Sequence, residues 1–204
     1  MLQILSAEAP FDRPAVGMRA ARLLGLAEAM GLLPGSTPIA RLERATIVAP
    51  LKHLQRHGIG RHAVLEFEST TDPGALAALL DRIYAELLAS PTPATEADAL
   101  GDMLGHEFVA RLVGISMSSL RRYITGERAT PDAVAARLHH IAVIVSHLAA
   151  GYNEFGIRRW FDRPRPQLRG KAPAQLLHGD WDPDAAGPQQ VLHLAEALNS
   201  SYAT

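Results

Sequence analysis

Ser116, Met117, Ser118, Ser119, Arg121, Arg122 and Arg128 are the residues whose types and spacing point most directly to chemistry. Arginine can grip guanine O6 and N7 with two parallel donors or pair with a phosphate, and serine can bond to either. Ser116, Met117, Ser118 and Arg121 stand at the start of a short segment of helical pattern, where a recognition helix meets base edges. Arg122 and Arg128 fall further along and suit phosphate contacts. Catalytic chemistry finds no comparable set. No histidine or acid is placed to activate the serines as nucleophiles. The chain has no cysteine, which excludes disulfides, thiol catalysis and Cys-ligated metals. Its 9 histidines include His53 and His57, one helical turn apart, but the segment H-L-Q-R-H lacks the glutamate of a metalloprotease helix. His62, His139, His140 and His147 complete no ligand set either, and solvated or hydrogen-bonded side chains are the expectation. Nucleotide-binding glycine loops and the nucleophile elbow are also missing, so neither an enzyme nor a cofactor is expected.

The elements that must position these residues follow from the preceding segment, His106 to Val113. Two helices crossing steeply over a short turn need a small residue at the contact, and Ala110 supplies it. The turn needs a residue tolerant of positive φ, which Gly114 supplies. Leu120 would pack the second helix onto the first, with Val109, Val113, Ile115 and Tyr123 filling the other inward positions. Ser116 would cap the second helix. This pattern predicts a helix-turn-helix, although a structural helical hairpin could share it. The next segment predicts a long helix with Thr130 as cap and Pro131 in its first position. Val134, Leu138, Ile141, Val145 and Leu148 then form an apolar seam. The seam reads as the core of the helix-turn-helix; a dimer seam is the sharper alternative.

Elsewhere the pattern is also helical. Arg19 to Leu33 reads as a helix stopped by Pro34-Gly35, and Ile47 to His57 as a short one interrupted or begun by Pro50. Ala63 to Phe67 is the one strand candidate. Asp72 should cap a helix with Pro73 in its first position and Leu76, Leu79, Leu80, Ile83 and Leu87 as its apolar stripe. Ser90 to Thr95, with two prolines in four residues, predicts an extended linker and a domain boundary.

Charge follows the same division. The total is −1, from 20 basic and 21 acidic residues, which excludes a uniformly basic coat and an acidic solvating chain. Residues 1–98 have a net charge of −2, residues 99–171 of +5, and residues 172–204 of −4 with no Lys or Arg. The basic middle suggests a polyanion contact. A hydrophobic share of 48% supports a buried core. No apolar run is long enough for a membrane helix, and Met1 to Leu5 lacks the basic region of a signal peptide, so a cytoplasmic protein without a membrane partner is expected.

From Gly151 the chain reads G-Y-N-E-F-G-I-R-R-W-F-D-R-P-R-P-Q-L-R-G-K-A-P-A-Q-L-L-H-G-D-W. Its pattern predicts a short helix closed by Trp160 and Phe161, extended backbone at Pro164 and Pro166, and a bend at Leu168 and Gly170. A second short helix restarts at Pro173, with Leu176 and Leu177 meeting Trp160 and Gly179 ending it. A last amphipathic helix carries Val191, Leu194, Ala195 and Leu198. This would be a compact helical subdomain built around one tryptophan.

The order of a helix-turn-helix, a capped long helix and then R-x-W-F-x-R-P-x-x-x-L-x-G-x-x-P-x-x-L-L resembles the Xre/MbcA/ParS-type antitoxins over about residues 97–204. The resemblance implies a mainly α fold: a helix-turn-helix bundle at 97–150, a small helical toxin-binding domain at 151–204, and here a mostly helical extension at 1–90 that the family pattern does not explain. It implies a type II antitoxin that represses its own operon by binding operator DNA and neutralises a RES-domain toxin that degrades NAD⁺. Such proteins act as homodimers or larger complexes. Trp160, Phe161, Pro164, Leu168, Gly170, Pro173, Leu176 and Leu177 would be the signature of the toxin-binding domain, most of them building the fold. The polar end of the chain, from Asn199 with Tyr202 as anchor, could enter the toxin pocket, though a frayed end is the plain alternative. A second reading is a stand-alone transcriptional regulator whose N-terminal half senses a ligand or mediates oligomerisation.

Overall fold

A computed structural model describes residues 4–33 and 39–201. The protein is mainly α. Its described strands are β1 (Ser6–Ala7) and β2 (Arg41–Leu42), paired in parallel with Ser6 opposite Arg41. The chain divides into two compact units. The first takes in the residues up to Glu28 and Leu32–Ser90; the second takes in Ala29–Gly31 and the described residues from Pro91 on.

The first unit holds α1 (Pro14–Ala29) up to Glu28, together with α2 (Arg44–Arg56), α3 (Ala63–Ser69) and α4 (Pro73–Leu88). Helix α4 forms as its sequence predicts: the Asp72 carboxylate accepts from the Ala75 amide at 2.7 Å, Pro73 opens the helix, and the predicted stripe is buried. Helix α1 begins earlier than Arg19 and ends at Ala29, ahead of Pro34-Gly35, which lies outside the described residues. Gly31 takes a left-handed φ of 71°, and the Leu32 amide returns to Ala27 O at 2.7 Å, a closure that satisfies the helix end. Helix α2 begins at Arg44, where the Glu43 amide donates to Thr46 Oγ1, and it runs through Pro50. The strand expected at Ala63–Phe67 is instead the helix α3. Alternation would bury Leu65 and expose Val64; Val64 is buried and Leu65 is 70% exposed. The inward positions Ala63, Val64 and Phe67 have helical spacing, and the Arg44 guanidinium closes the helix end by donating to Phe67 O and Thr70 O.

The main run of the second unit begins at Pro91, inside the Ser90–Thr95 stretch. Pro93 opens α5 (Pro93–Leu104), so the extended stretch is shorter than Ser90–Thr95. A proline at the first helical position forfeits no hydrogen bond. Helices α6 (His106–Val113), α7 (Met117–Ile124) and α8 (Asp132–Leu148) follow. Helix α8 is capped at Pro131, with φ −60° and ψ 145°, rather than at Thr130. All five seam residues are buried, together with Ala142, Val143 and Ile144. Helices α5, α6 and α11 (Ala186–Ser201) pack against α8. The seam is therefore filled from within the chain, which corrects its alternative reading as a dimer surface.

Helix α9 (Glu154–Asp162), a single 3-10 turn at Pro166–Leu168 and α10 (Pro173–Leu176) connect α8 to α11. They do not form a subdomain apart. Helix α9 packs on α5, and Phe161 meets Phe108 of α6 edge-on at 5.9 Å and Trp160 at 5.4 Å. A second tryptophan, Trp181, is equally structural: its indole N–H donates to Leu112 O at 2.7 Å.

The histidines of α8 are part of this core. His139 Nδ1 lies 2.7 Å from Oε1 of the fully buried Glu96, and His147 Nε2 lies 3.8 Å from Glu196. His140 donates through Nε2 to Pro188 O at 3.2 Å and stands edge-on to Trp181. Burial holds the His140 pKa below its ordinary value, with His139 acting in the same direction; the Pro188 carbonyl and Asp184 oppose it. The unfolded chain thus binds a proton at His140 that the native state refuses. Its contribution is fully present above about pH 6.5 and is lost as pH falls from there toward the lower folded value. His140→Gln, which can keep the bond to Pro188, is expected to flatten this part of the stability profile. Urea unfolding of both proteins at about pH 5 and pH 8 checks it; equal pH dependence in the two would contradict the assignment.

Candidate nucleic-acid interface

The turn between α6 and α7 is built as the residue types require. Gly114 has φ 72° and ψ 37°, a left-handed conformation that closes α6. The Ile115 amide returns to Ala110 O at 3.0 Å. Ser116 caps α7, its Oγ accepting from the Ser119 amide at 3.1 Å. Val109, Ala110, Leu112, Val113, Leu120 and Tyr123 are buried; Ile115 is half-buried.

The other face of α7 is free. Ser118, Arg121 and Arg122 are exposed on the helix, with Ser116 exposed before it and Arg128 after it; Met117 and Ser119 are half-buried. Arg121, Arg122 and Arg128 take no part in the ion pairs seen among the described residues. The Arg128 guanidinium lies 6.0 Å from the Tyr123 ring centre. The three serines are linked, with Ser116 Oγ 2.9 Å from Ser118 Oγ and 3.0 Å from Ser119 Oγ. Ser116 is thus committed to the cap, and Ser118 is exposed with its hydroxyl bonded to that of Ser116. Arg121 and Met117 also border a shallow apolar groove with His106, Ile124 and Thr125. The face combines exposed cations, hydroxyls and one flexible thioether, a set able to meet phosphates, base edges and a thymine methyl group.

Arg137, which the sequence reading did not single out, holds this head in place. Only 5% exposed, it donates from Nε to Trp181 O at 2.8 Å and from Nη1 to Val113 O at 2.8 Å and Gly179 O at 3.3 Å; Nη2 pairs with the Asp180 carboxylate. Val113 O belongs to the turn itself, so one buried guanidinium joins α8, the turn and the chain at 179–181. Gly114 lies against the same stretch: a Cβ there would stand 2.1 Å from Gly179 O. Arg137 is the one Lys or Arg in α8, and that alone named none of these partners.

Of the signature residues, Trp160, Phe161, Leu168, Pro173 and Leu177 are buried, Leu176 is half-buried, and Pro164 and Gly170 are exposed. Gly170 has φ 78°. Asn199 falls in α11 with its side chain outside what is described, and Tyr202 lies outside the described residues. Among the described residues no group of three or more His, Asp or Glu converges as metal ligands. The His53 and His57 rings stand 5.0 Å apart, and burial, then His57 and Arg56, lower the His53 pKa. No described helix is long and apolar enough to cross a membrane.

These features define a mainly α protein with a helix-turn-helix and an exposed cationic helix face. No family model, curated protein or solved structure matches the chain.

Proposed function

We propose that the protein is a cytoplasmic DNA-binding antitoxin. It reads operator DNA through α7 as a homodimer or larger complex, and it neutralises a RES-domain, NAD⁺-degrading toxin through its C-terminal part. The observation that carries the DNA reading is the pair Arg121 and Arg122, exposed on a capped helix beyond a left-handed turn and in no ion pair among the described residues. Arg121→Ala is expected to weaken binding by about 1–3 kcal/mol and relax base preference. Arg122→Ala should weaken all sequences alike and reduce the salt slope by about one. Mobility shifts with the DNA upstream of the protein's own gene check both. Unchanged affinity in the double variant, with helicity intact, would remove the recognition-helix assignment.

The antitoxin half rests on the signature string from Trp160 to Leu177 and on the charge of −4 after residue 171. An enzyme that consumes NAD⁺ must attract a pyrophosphate, so an acidic segment complements its pocket. Removal of residues 199–204 is expected to spare operator binding and reduce neutralisation, read as growth and preserved NAD⁺ on co-expression with the neighbouring toxin gene. Full neutralisation by the shortened chain would exclude the tail as the plug. A second reading, a stand-alone regulator, draws support from the first unit, which has four helices and a core of its own. Failure of the full chain to co-purify with any neighbouring gene product would favour it.

A further inference from the structure

The loop between α9 and α10 carries three exposed cations. Arg163, Arg169 and Lys171 are exposed, and they take no part in the ion pairs seen among the described residues. The intervening Pro164, Pro166, Gln167 and Gly170 add no large apolar side chain, so the loop has nothing to insert into a lipid surface.

The loop is also preorganised. Arg165 O accepts from the Leu168 and Gly170 amides at 3.0 and 2.9 Å, and the Arg165 amide donates to Lys171 O at 3.0 Å. The Arg165 side chain turns back over Trp160, 5.4 Å from the ring centre, and anchors the loop. Arg169 is the one non-glycine residue with positive φ among the described residues, at φ 55° and ψ 40°. Glycine or asparagine would adopt that conformation with less strain, so an arginine there points to a use for its side chain.

Position completes the case. Asp162, immediately before the loop, stands 3.7 Å from Arg111 on the exposed side of α6. The loop therefore starts beside the first helix of the helix-turn-helix.

We propose that Arg163, Arg169 and Lys171 form a second, sequence-independent contact to the phosphate backbone of the DNA whose bases α7 reads. The proposal rests on the DNA-binding reading above and adds to it. Fixed cations on a stiff loop release counterions from the duplex without discriminating between sequences. The loop thus contributes affinity and register, and α7 contributes specificity.

The test uses the full chain with two duplexes, one from upstream of its own gene and one of arbitrary sequence, titrated between about 50 and 200 mM salt. The loop variant carries Arg163→Gln, Arg169→Asn and Lys171→Gln; asparagine tolerates the left-handed conformation at 169. Its plot of log affinity against log salt should be shallower by about two to three on both duplexes, with the ratio between them unchanged. A companion with Arg163→Lys and Arg169→Lys keeps the charge and should retain the original slope. A loop variant with the full slope overturns the proposal; if Arg121→Ala/Arg122→Ala still weakens binding, the α7 reading survives alone. A loop variant that loses the ratio as well overturns it too, because the loop would then act on the reading head. A chain that binds neither duplex removes both the proposal and the reading beneath it.

Discussion

Arg137→Met lowers the stability of the second unit by about 1–3 kcal/mol, the cost of leaving buried carbonyls without their donor. Methionine fills much of the volume but donates nothing. Val113 O and Trp181 O lose their guanidinium donors, and Gly179 O loses its longer bond. Arg137→Lys recovers little, because one ammonium cannot reproduce the planar fork that serves carbonyls on two sides. Asp180→Ala costs far less, since its carboxylate is 93% exposed and its pairing is screened by water. Urea unfolding of the three variants checks the order. An Arg137→Met protein as stable as the parent would mean that the network holds nothing together.

Gly114→Ala is the second large effect, and Gly126→Ala is its control. Both glycines are left-handed, with φ of 72° and 73°. A methyl group at Gly126 meets nothing within 4 Å, so only the backbone penalty of about 1–2 kcal/mol applies. At Gly114 the methyl would stand 2.1 Å from Gly179 O, and an overpacking cost of about 1–3 kcal/mol adds to that penalty. Relief requires the turn or the 179–181 stretch to move, and either shifts the Ser116 cap and the start of α7. Gly114→Ala should therefore lose stability and DNA affinity together, whereas Gly126→Ala loses a little stability alone. Equal melting of the two variants would show that Gly114 is not pinned between the turn and Gly179.

The contrast between these glycines marks what was legible in the sequence. The turn, the Ser116 cap, the Asp72 cap and the outward face of α7 are set by residues a few positions apart, and the structure has them where their spacing predicts. Features that depend on distant partners were not legible. The segment Ala63–Phe67 has strand-like composition, but Arg44, far back in the chain, closes it as a helix. The seam of α8 has heptad spacing whether its partner is a second copy or α5, α6 and α11 of the same chain. The tie from Arg137 to Gly179 and Trp181 spans more than forty residues, and no local pattern announces it. Glu96 is a similar case: it follows the proline-rich stretch, and its burial beside His139 depends on α8, more than forty residues on.

The central claim is that the outward face of α7 touches DNA bases. Site-specific photo-crosslinking from position 118 tests it most directly, because Ser118 is exposed next to Arg121 and Arg122 while its hydroxyl makes no contact beyond the cap. A photoreactive residue placed there in the full chain should crosslink to bases at a defined position in the duplex from upstream of its own gene. Unlabelled duplex of the same sequence should compete the crosslink away, and arbitrary sequence should compete far less. Crosslinking spread evenly along the duplex, or none while the protein remains bound, would contradict the account.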